Sequence, residues 1–348
     1  LHGVRFPYVA GAMARGIASV ELVVAMGKAG MMGFFGSAGL PLERVRASIA
    51  RISEQLGPHT PWGCNLIHTP EEPELEASMV RCFLESKVTR ISASAFMGLS
   101  PALATFAYSG VSEDDAGNIR RRNYVFAKIS RPETAAAFLR PAPAEMLESL
   151  VAQGLLTPAE AALGARLPVA EDITVESDSG GHTDNQILTA LFPSIVELRD
   201  ECAARYEYTR PIRIGAAGGL GTPTAVAAAY AMGAAYVLTG SVNQCSHEAD
   251  VSAPVKELLT QVRTGDVTMA PCADMFEAGV KVQVLKRRSL YAVRAAKLYE
   301  LYTRYDSLEE IPAATRQQIE QQWFRQSLDE IWRSTQEFFK ERNPAELS

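Results

Sequence analysis

Hydrophobic residues recur along the chain in short, nearly continuous runs. Eight are of strand length: Tyr8–Met13, Met31–Gly36, Trp62–Leu66, Val88–Ala95, Val125–Ile129, Asp172–Glu176, Arg213–Ala217 and Ala235–Thr239. Apolar runs without alternation fit parallel strands buried on both faces. Segments with helical spacing lie between most of them: Ser19–Ala29, Pro41–Leu56, Glu71–Glu85 and Gln186–Tyr206. A strand–helix rhythm repeated eight times predicts an α/β fold, a (β/α)8 TIM barrel.

The rhythm breaks twice. A helical insert, Pro132–Leu163, separates strands five and six and with its flank spans about residues 132–168. After strand eight the strand signal is weak, which predicts a mainly helical C-terminal substrate-binding or cap region. The expected division is 1–252 for the barrel and 253–348 for that region. Within it, Ile319, Trp323, Leu328, Ile331, Trp332, Thr335, Phe338 and Phe339 fall at helical spacing. Such a stripe packs into a core or forms a homodimer face.

Length and composition agree with this picture. The 348 residues exceed the roughly 250 of a barrel, leaving room for the appendage. A 47% apolar content supports a large core, and a net charge of −6 argues against a nucleic-acid surface. The five cysteines, Cys64, Cys82, Cys202, Cys245 and Cys272, form no C-x-x-C pair. An odd count without a framework fits a reducing compartment. The N-terminus shows no charged region followed by an apolar run, although the missing initiator Met leaves a trimmed leader open. Ala225–Gly240 is too short and too rich in Ala and Gly to span a bilayer. The expectation is a soluble cytoplasmic protein with no membrane partner.

Barrel chemistry gathers where strands end. Strand seven ends in Gly215-Ala216-Ala217-Gly218-Gly219-Leu220-Gly221, with Thr222-Pro223 opening a helix. Strand eight ends in Thr239-Gly240-Ser241. Glycines let backbone N–H groups approach an anion, and a helix N-terminus adds a favourable dipole. Two such turns after strands seven and eight point to a phosphate site; ordinary tight turns are the plainer alternative. A Rossmann fingerprint fails, because Thr224 stands where its third glycine belongs and no acid follows about twenty residues on.

Strand six ends in the densest polar cluster, Glu176-Ser177-Asp178-Ser179-Gly180-Gly181-His182-Thr183-Asp184-Asn185. Its two glycines suit close passage over a planar cofactor, and His182 then becomes a candidate proton donor. Lys128 near the end of strand five is costly in an apolar strand unless paired. It would stabilise the negative charge of a reduced flavin, pair with Glu176 or Asp178, or do both. Gly11-Ala12-Met13 and Asn65 end strands one and three, where small residues can underlie a ring and an amide can bond its edge. Cys64 and Cys245 are read as packing. No G-x-S-x-G elbow, H-E-x-x-H or Cys/His metal pattern is present.

Together these motifs resemble the PfaD family. The match rests on Glu176–Asn185, Gly215–Gly221, Thr239-Gly-Ser-Val-Asn-Gln244, Asp274-Met-Phe-Glu277, Ala127-Lys-Ile-Ser-Arg-Pro-Glu133 and Gln283-Val-Leu-Lys286. It runs from about Phe6 to Pro344. The family comprises trans-acting enoyl reductases of polyunsaturated fatty acid synthases and trans-acyltransferase polyketide synthases. FabK-type enoyl reductases and nitronate monooxygenases are wider relatives. The resemblance implies an FMN-binding barrel, NADPH as co-substrate, and an enoyl thioester on an acyl carrier protein. It assigns His182 to catalysis; Lys128 and Asp178 join it as candidates, Asp178 to orient His182. It assigns Gly11, Ala12, Met13, Asn65, Lys128, Gly180, Gly181, Ala217, Gly218, Gly219, Thr239, Gly240, Ser241 and Gln244 to the cofactor. Gln186 departs from an expected Arg after Asp-Asn.

Carrier proteins are acidic, so the basic runs Arg120–Arg122 and Lys286–Arg288 are candidate docking points, or solvated surface charge. Two other functions stay open at this level. One is a nitronate-type FMN oxygenase on the same site; the other is a non-catalytic flavin-binding scaffold of a synthase.

Overall fold

The computed structural model describes residues 2–273, 275–342 and 347. Asp274, which opens the Asp-Met-Phe-Glu motif, and Pro344 lie outside them. The chain divides into two compact units, Leu1–Val262 and Arg263–Ser348.

The first unit is a closed barrel of eight parallel strands. They are β1 (Tyr8–Ala10), β2 (Met32–Phe35), β3 (Gly63–Ile67), β4 (Arg90–Ser94), β5 (Tyr124–Ile129), β6 (Asp172–Glu176), β7 (Arg213–Ala217) and β8 (Val237–Thr239). Each pairs with its neighbours in sequence, and β8 closes on β1. All eight sequence runs thus become the barrel strands.

Alternate residues of a strand serve different cores. Phe35, Val125, Ala127 and Ile129 pack outward under the helices, while Phe34 and Phe126 belong to a separate cluster with Val9, Met32, Ala217, Tyr236 and Leu238. That cluster fills the barrel, as side-chain layers do in this fold. Space for its rings comes from glycines. A Cβ on Gly63 would stand 2.5 Å from the Phe34 ring, and one on Gly215 would stand 2.3 Å from Tyr236. The Tyr236 hydroxyl is bonded to Thr174 Oγ1 at 2.7 Å.

Helices cover the outside: α1 (Val20–Lys28), α2 (Leu42–Leu56), α3 (Pro73–Glu85) and α4 (Pro101–Tyr108) follow the first four strands. The insert forms three helices, α5 (Pro132–Leu139), α6 (Ala144–Ala152) and α7 (Pro158–Gly164). After α8 (Leu188–Arg205) and α9 (Pro223–Ala231), α10 (Ala253–Thr260) ends the unit. Among the described residues no helix is long and apolar enough to cross a membrane.

An ion-pair network closes the N-terminal ends of the strands. Arg213 donates twice to Asp172, at 2.6 and 2.7 Å, and His2 Nε2 lies 3.0 Å from the same carboxylate. Burial works against charge on Asp172, but the hydrogen bonds from His2 and Arg213 outweigh it and hold its carboxyl below the usual range. Glu171 pairs with Arg121 and Arg210. Within the run Arg120–Arg122 this removes Arg121 from the docking expectation. Arg121 is buried against Glu171 and the Pro168 carbonyl, and Arg120 pairs with Asp114. The run precedes β5, at the opposite end of the barrel from the strand C-termini.

The second unit is helical, with α11 (Tyr291–Arg304), α12 (Ala313–Gln318) and α13 (Leu328–Arg342). It also holds an antiparallel pair, β9 (Val267–Pro271) and β10 (Lys281–Leu285), which the sequence pattern did not reveal. Leu301, Ile311 and Ile319 form its core with Trp323 and Leu328 packed around them. The aromatic stripe therefore divides, for Trp332 and Phe338 are exposed.

Candidate active site

Parallel strands deliver all their C-termini to one face, where the sequence-chosen residues collect. The turns after β6, β7 and β8 meet there. A Cβ on Gly180 would stand 2.7 Å from Ser241 Oγ, and one on Gly218 would stand 2.5 Å from the Ser177 carbonyl. Gly218 also has φ +86°, which side chains on L-residues rarely adopt. Ser177, which sequence reasoning passed over, holds this turn. Its N–H donates to the Ala217 carbonyl at 2.9 Å, and its hydroxyl lies within reach of the Ala217 and Gly218 carbonyls.

Around this junction the backbone is accessible. A Cβ on Gly221 or Gly240 would meet nothing within 4 Å. Helix α9 begins next to it with Thr222 as N-cap, accepting from Ala225 N at 3.1 Å, and Pro223 in the first turn. The short 3₁₀ turn Ser241–Cys245, which carries Gln244, starts beside it. First-turn N–H groups have no partner within a helix and favour an anion. Open space plus such donors fits a phosphate.

β1 meets β8 at this face. Gly11 N donates to the Thr239 carbonyl at 2.8 Å, and the Thr239 hydroxyl donates to Tyr8 at 2.8 Å. Asn243 bonds the same carbonyl at 2.9 Å. Ala12 and Met13 follow, half-buried, with Met13 packed on the Ala10–Ala18 cluster.

Asn65 is buried in the middle of β3, which runs on to Ile67 rather than ending at Leu66. Its Nδ2 donates to the Ser92 carbonyl at 2.9 Å and to Ser94 Oγ at 2.8 Å. A carbonyl can only accept, so the amide's orientation is fixed and Oδ1 is what it offers a ligand. Nearby, the buried Glu76 of α3 accepts from His68 Nδ1 at 2.9 Å, from Thr69 N at 3.2 Å and from Ser100 Oγ. This clasp joins the loops after β3 and β4. Sequence reasoning missed it, although His68 directly after a strand end was a signal.

Lys128 Nζ lies 2.9 Å from Glu176 Oε1, and Ser179 donates to the same oxygen at 3.1 Å. Of the two carboxylates the sequence offered as its partner, Glu176 forms the ion pair. The Gly180-Gly181-His182 loop rises from here, with His182 exposed. Thr183 Oγ1 donates to Asp178 at 3.4 Å and accepts from Asn185 N at 3.1 Å. Asp184 accepts two bonds from Arg131 and one from Ser130. The Arg131 hydrogen bond holds the Asp184 carboxyl below the usual range, against partial burial. A cleft of about 540 Å³ lined by Ser130, Arg131, Glu133, Asp184 and Gln186 opens beside it. Burial pushes the Cys64 thiol well up and the Cys245 thiol up, which suits packing rather than nucleophilic roles.

Fold and mouth together define a (β/α)8 barrel with its polar groups gathered at the strand C-termini. The enoyl reductase domain of MlnA, from the macrolactin biosynthesis cluster of Bacillus amyloliquefaciens, matches with TM-score 0.93 and 41% identity, covering 97% of this chain and 76% of that one. The polyketide biosynthesis protein PksE of Bacillus subtilis is 46% identical over 94% of this chain and 43% of its own length. A polyunsaturated fatty acid synthase component from a Thraustochytrium species is 44% identical over 99% of this chain and 23% of its own. This chain belongs to the PfaD family, as its motifs indicated. It spans less than half the length of these curated relatives. A family model described as the inserted helical domain of acyl-carrier-protein S-malonyltransferase matches residues 305–348.

Proposed function

We propose that this chain is an FMN-dependent enoyl reductase of a polyketide or polyunsaturated fatty acid synthase. It acts in trans, consumes NADPH and reduces an enoyl thioester held on an acyl carrier protein. The observation that carries the reading is the likeness to the MlnA enoyl reductase domain across nearly the whole chain.

Bound FMN supplies two-electron chemistry, by which a hydride from NADPH reaches the β-carbon of the enoyl group. Gly218, Gly219, Gly240 and Ser241, with the first turn of α9, would hold its phosphate. Gly11, Ala12, Met13, Gly180, Gly181, Ala217, Thr239 and Gln244 would complete its site. Asn65 would accept an N–H from the cofactor through Oδ1. Lys128, held by Glu176, would stabilise the negative charge of the reduced cofactor. His182 gives the α-carbon its proton, and Asp178 supports the loop that carries it. The hydride and this proton together saturate the double bond, and NADPH leaves as NADP⁺.

The purified protein is expected to release FMN on denaturation and, before that, to bleach anaerobically on addition of NADPH. A folded protein that retains no flavin would overturn the reading.

A further inference from the structure

We infer that Asp184 is a positioning residue for His182, clamped by Ser130 and Arg131 at the end of β5. The inference rests on the reading of His182 as proton donor.

His182 follows two glycines, and Gly181 has φ +89°. Glycine backbone has wide freedom, so this stretch does not define its own path. Two sets of bonds shape the loop from within. Asp178 N donates to the Gln186 carbonyl at 2.8 Å and closes its base. Thr183 Oγ1 braces the interior through Ser179 N at 3.3 Å, Asn185 N at 3.1 Å and Asp178 Oδ1. Those bonds set the internal shape of the loop.

The Asp184 carboxylate, two residues beyond His182, ties that shape to β5. It accepts from Arg131 Nε at 2.9 Å, Arg131 Nη2 at 2.8 Å and Ser130 Oγ at 2.5 Å. A planar guanidinium bonded twice sets angle as well as distance. Arg131 is half-exposed, and exposed pairs add little to global stability. The effect of the clamp is therefore expected to be local and its variants to fold.

The test uses the full chain with Asp184→Ala, Asp184→Asn and Arg131→Ala, alone and on a His182→Ala background. Flavin reduction by NADPH and reoxidation by a crotonyl thioester are followed separately. Asp184→Ala is expected to slow reoxidation about tenfold to a hundredfold, with the reduction rate, KM for the thioester and Tm kept. Asp184→Asn, which keeps an acceptor, recovers part of the loss. On the His182→Ala background the Asp184 effect disappears. In flavin-free protein, amides 179–185 exchange about tenfold faster in Asp184→Ala. An Asp184 effect that persists without His182, or unchanged exchange, overturns the inference. If His182→Ala itself leaves reoxidation unchanged, the proton-donor reading falls and the inference with it.

Discussion

Lys128 Nζ and Glu176 Oε1 stand 2.9 Å apart across the ends of neighbouring strands, both largely shielded from solvent. A lysine in an apolar strand is tolerable because this carboxylate meets it. Lys128→Met leaves Glu176 with Ser179 alone. The expected cost is about 1–3 kcal/mol in urea unfolding. On the proposed role of Lys128 at the flavin, reduction by NADPH is expected to slow about tenfold or more. Unchanged kinetics would remove Lys128 from the chemistry and leave it an ion-pair partner.

Asn65 tests the amide orientation. Asn65→Asp sets a carboxylate oxygen against the Ser92 carbonyl, two acceptors where a donor stood. Stability is expected to fall by about 1–3 kcal/mol and FMN to bind at least about tenfold more weakly. Ser94→Ala, which removes one of the amide's two acceptors, should show a smaller loss in the same titration.

Gly218→Ala probes the turn beneath the phosphate position. The new Cβ faces the Ser177 carbonyl at 2.5 Å, on a backbone with positive φ. Flavin retention after gel filtration is expected to be lost while far-UV circular dichroism stays native. Gly221→Ala meets no protein atom within 4 Å, so its Tm should match that of the native chain.

Asp172 makes acid stability a test of the barrel base. Its folded carboxyl titrates below the unfolded one, so its contribution is present above about pH 4 and lost as pH falls through the folded value. Tm measured from pH 6 to pH 3 should fall for the native chain and fall less steeply for Asp172→Asn. The variant should start lower, because Arg213 and His2 lose their charged partner.

Strand positions were legible because burial on both faces writes itself as a continuous apolar run. Their ends were less so. β1 stops at Ala10 rather than Met13, where Gly11 turns to bond Thr239. β4 stops at Ser94, where Ala95 takes φ +63°. The Gly-rich turns and His182 were visible as local composition at strand ends. The Arg131–Asp184 clamp and the His68–Glu76 clasp join different elements; His68 after a strand end was a signal, but one sequence names no partner for it. Arg121 shows the converse limit, since a run of three arginines reads as surface charge until a buried glutamate is found beside it. The β9–β10 pair has only five residues per strand, with Lys281 exposed and Val282 buried, too short an alternation to stand out.

The most direct test is anaerobic stopped-flow on the FMN-loaded protein, with NADPH added first and a crotonyl thioester second. The account predicts flavin bleaching, then recovery that requires the thioester and yields the saturated product in one equivalent. Bleaching that reverses only when oxygen is admitted would contradict it.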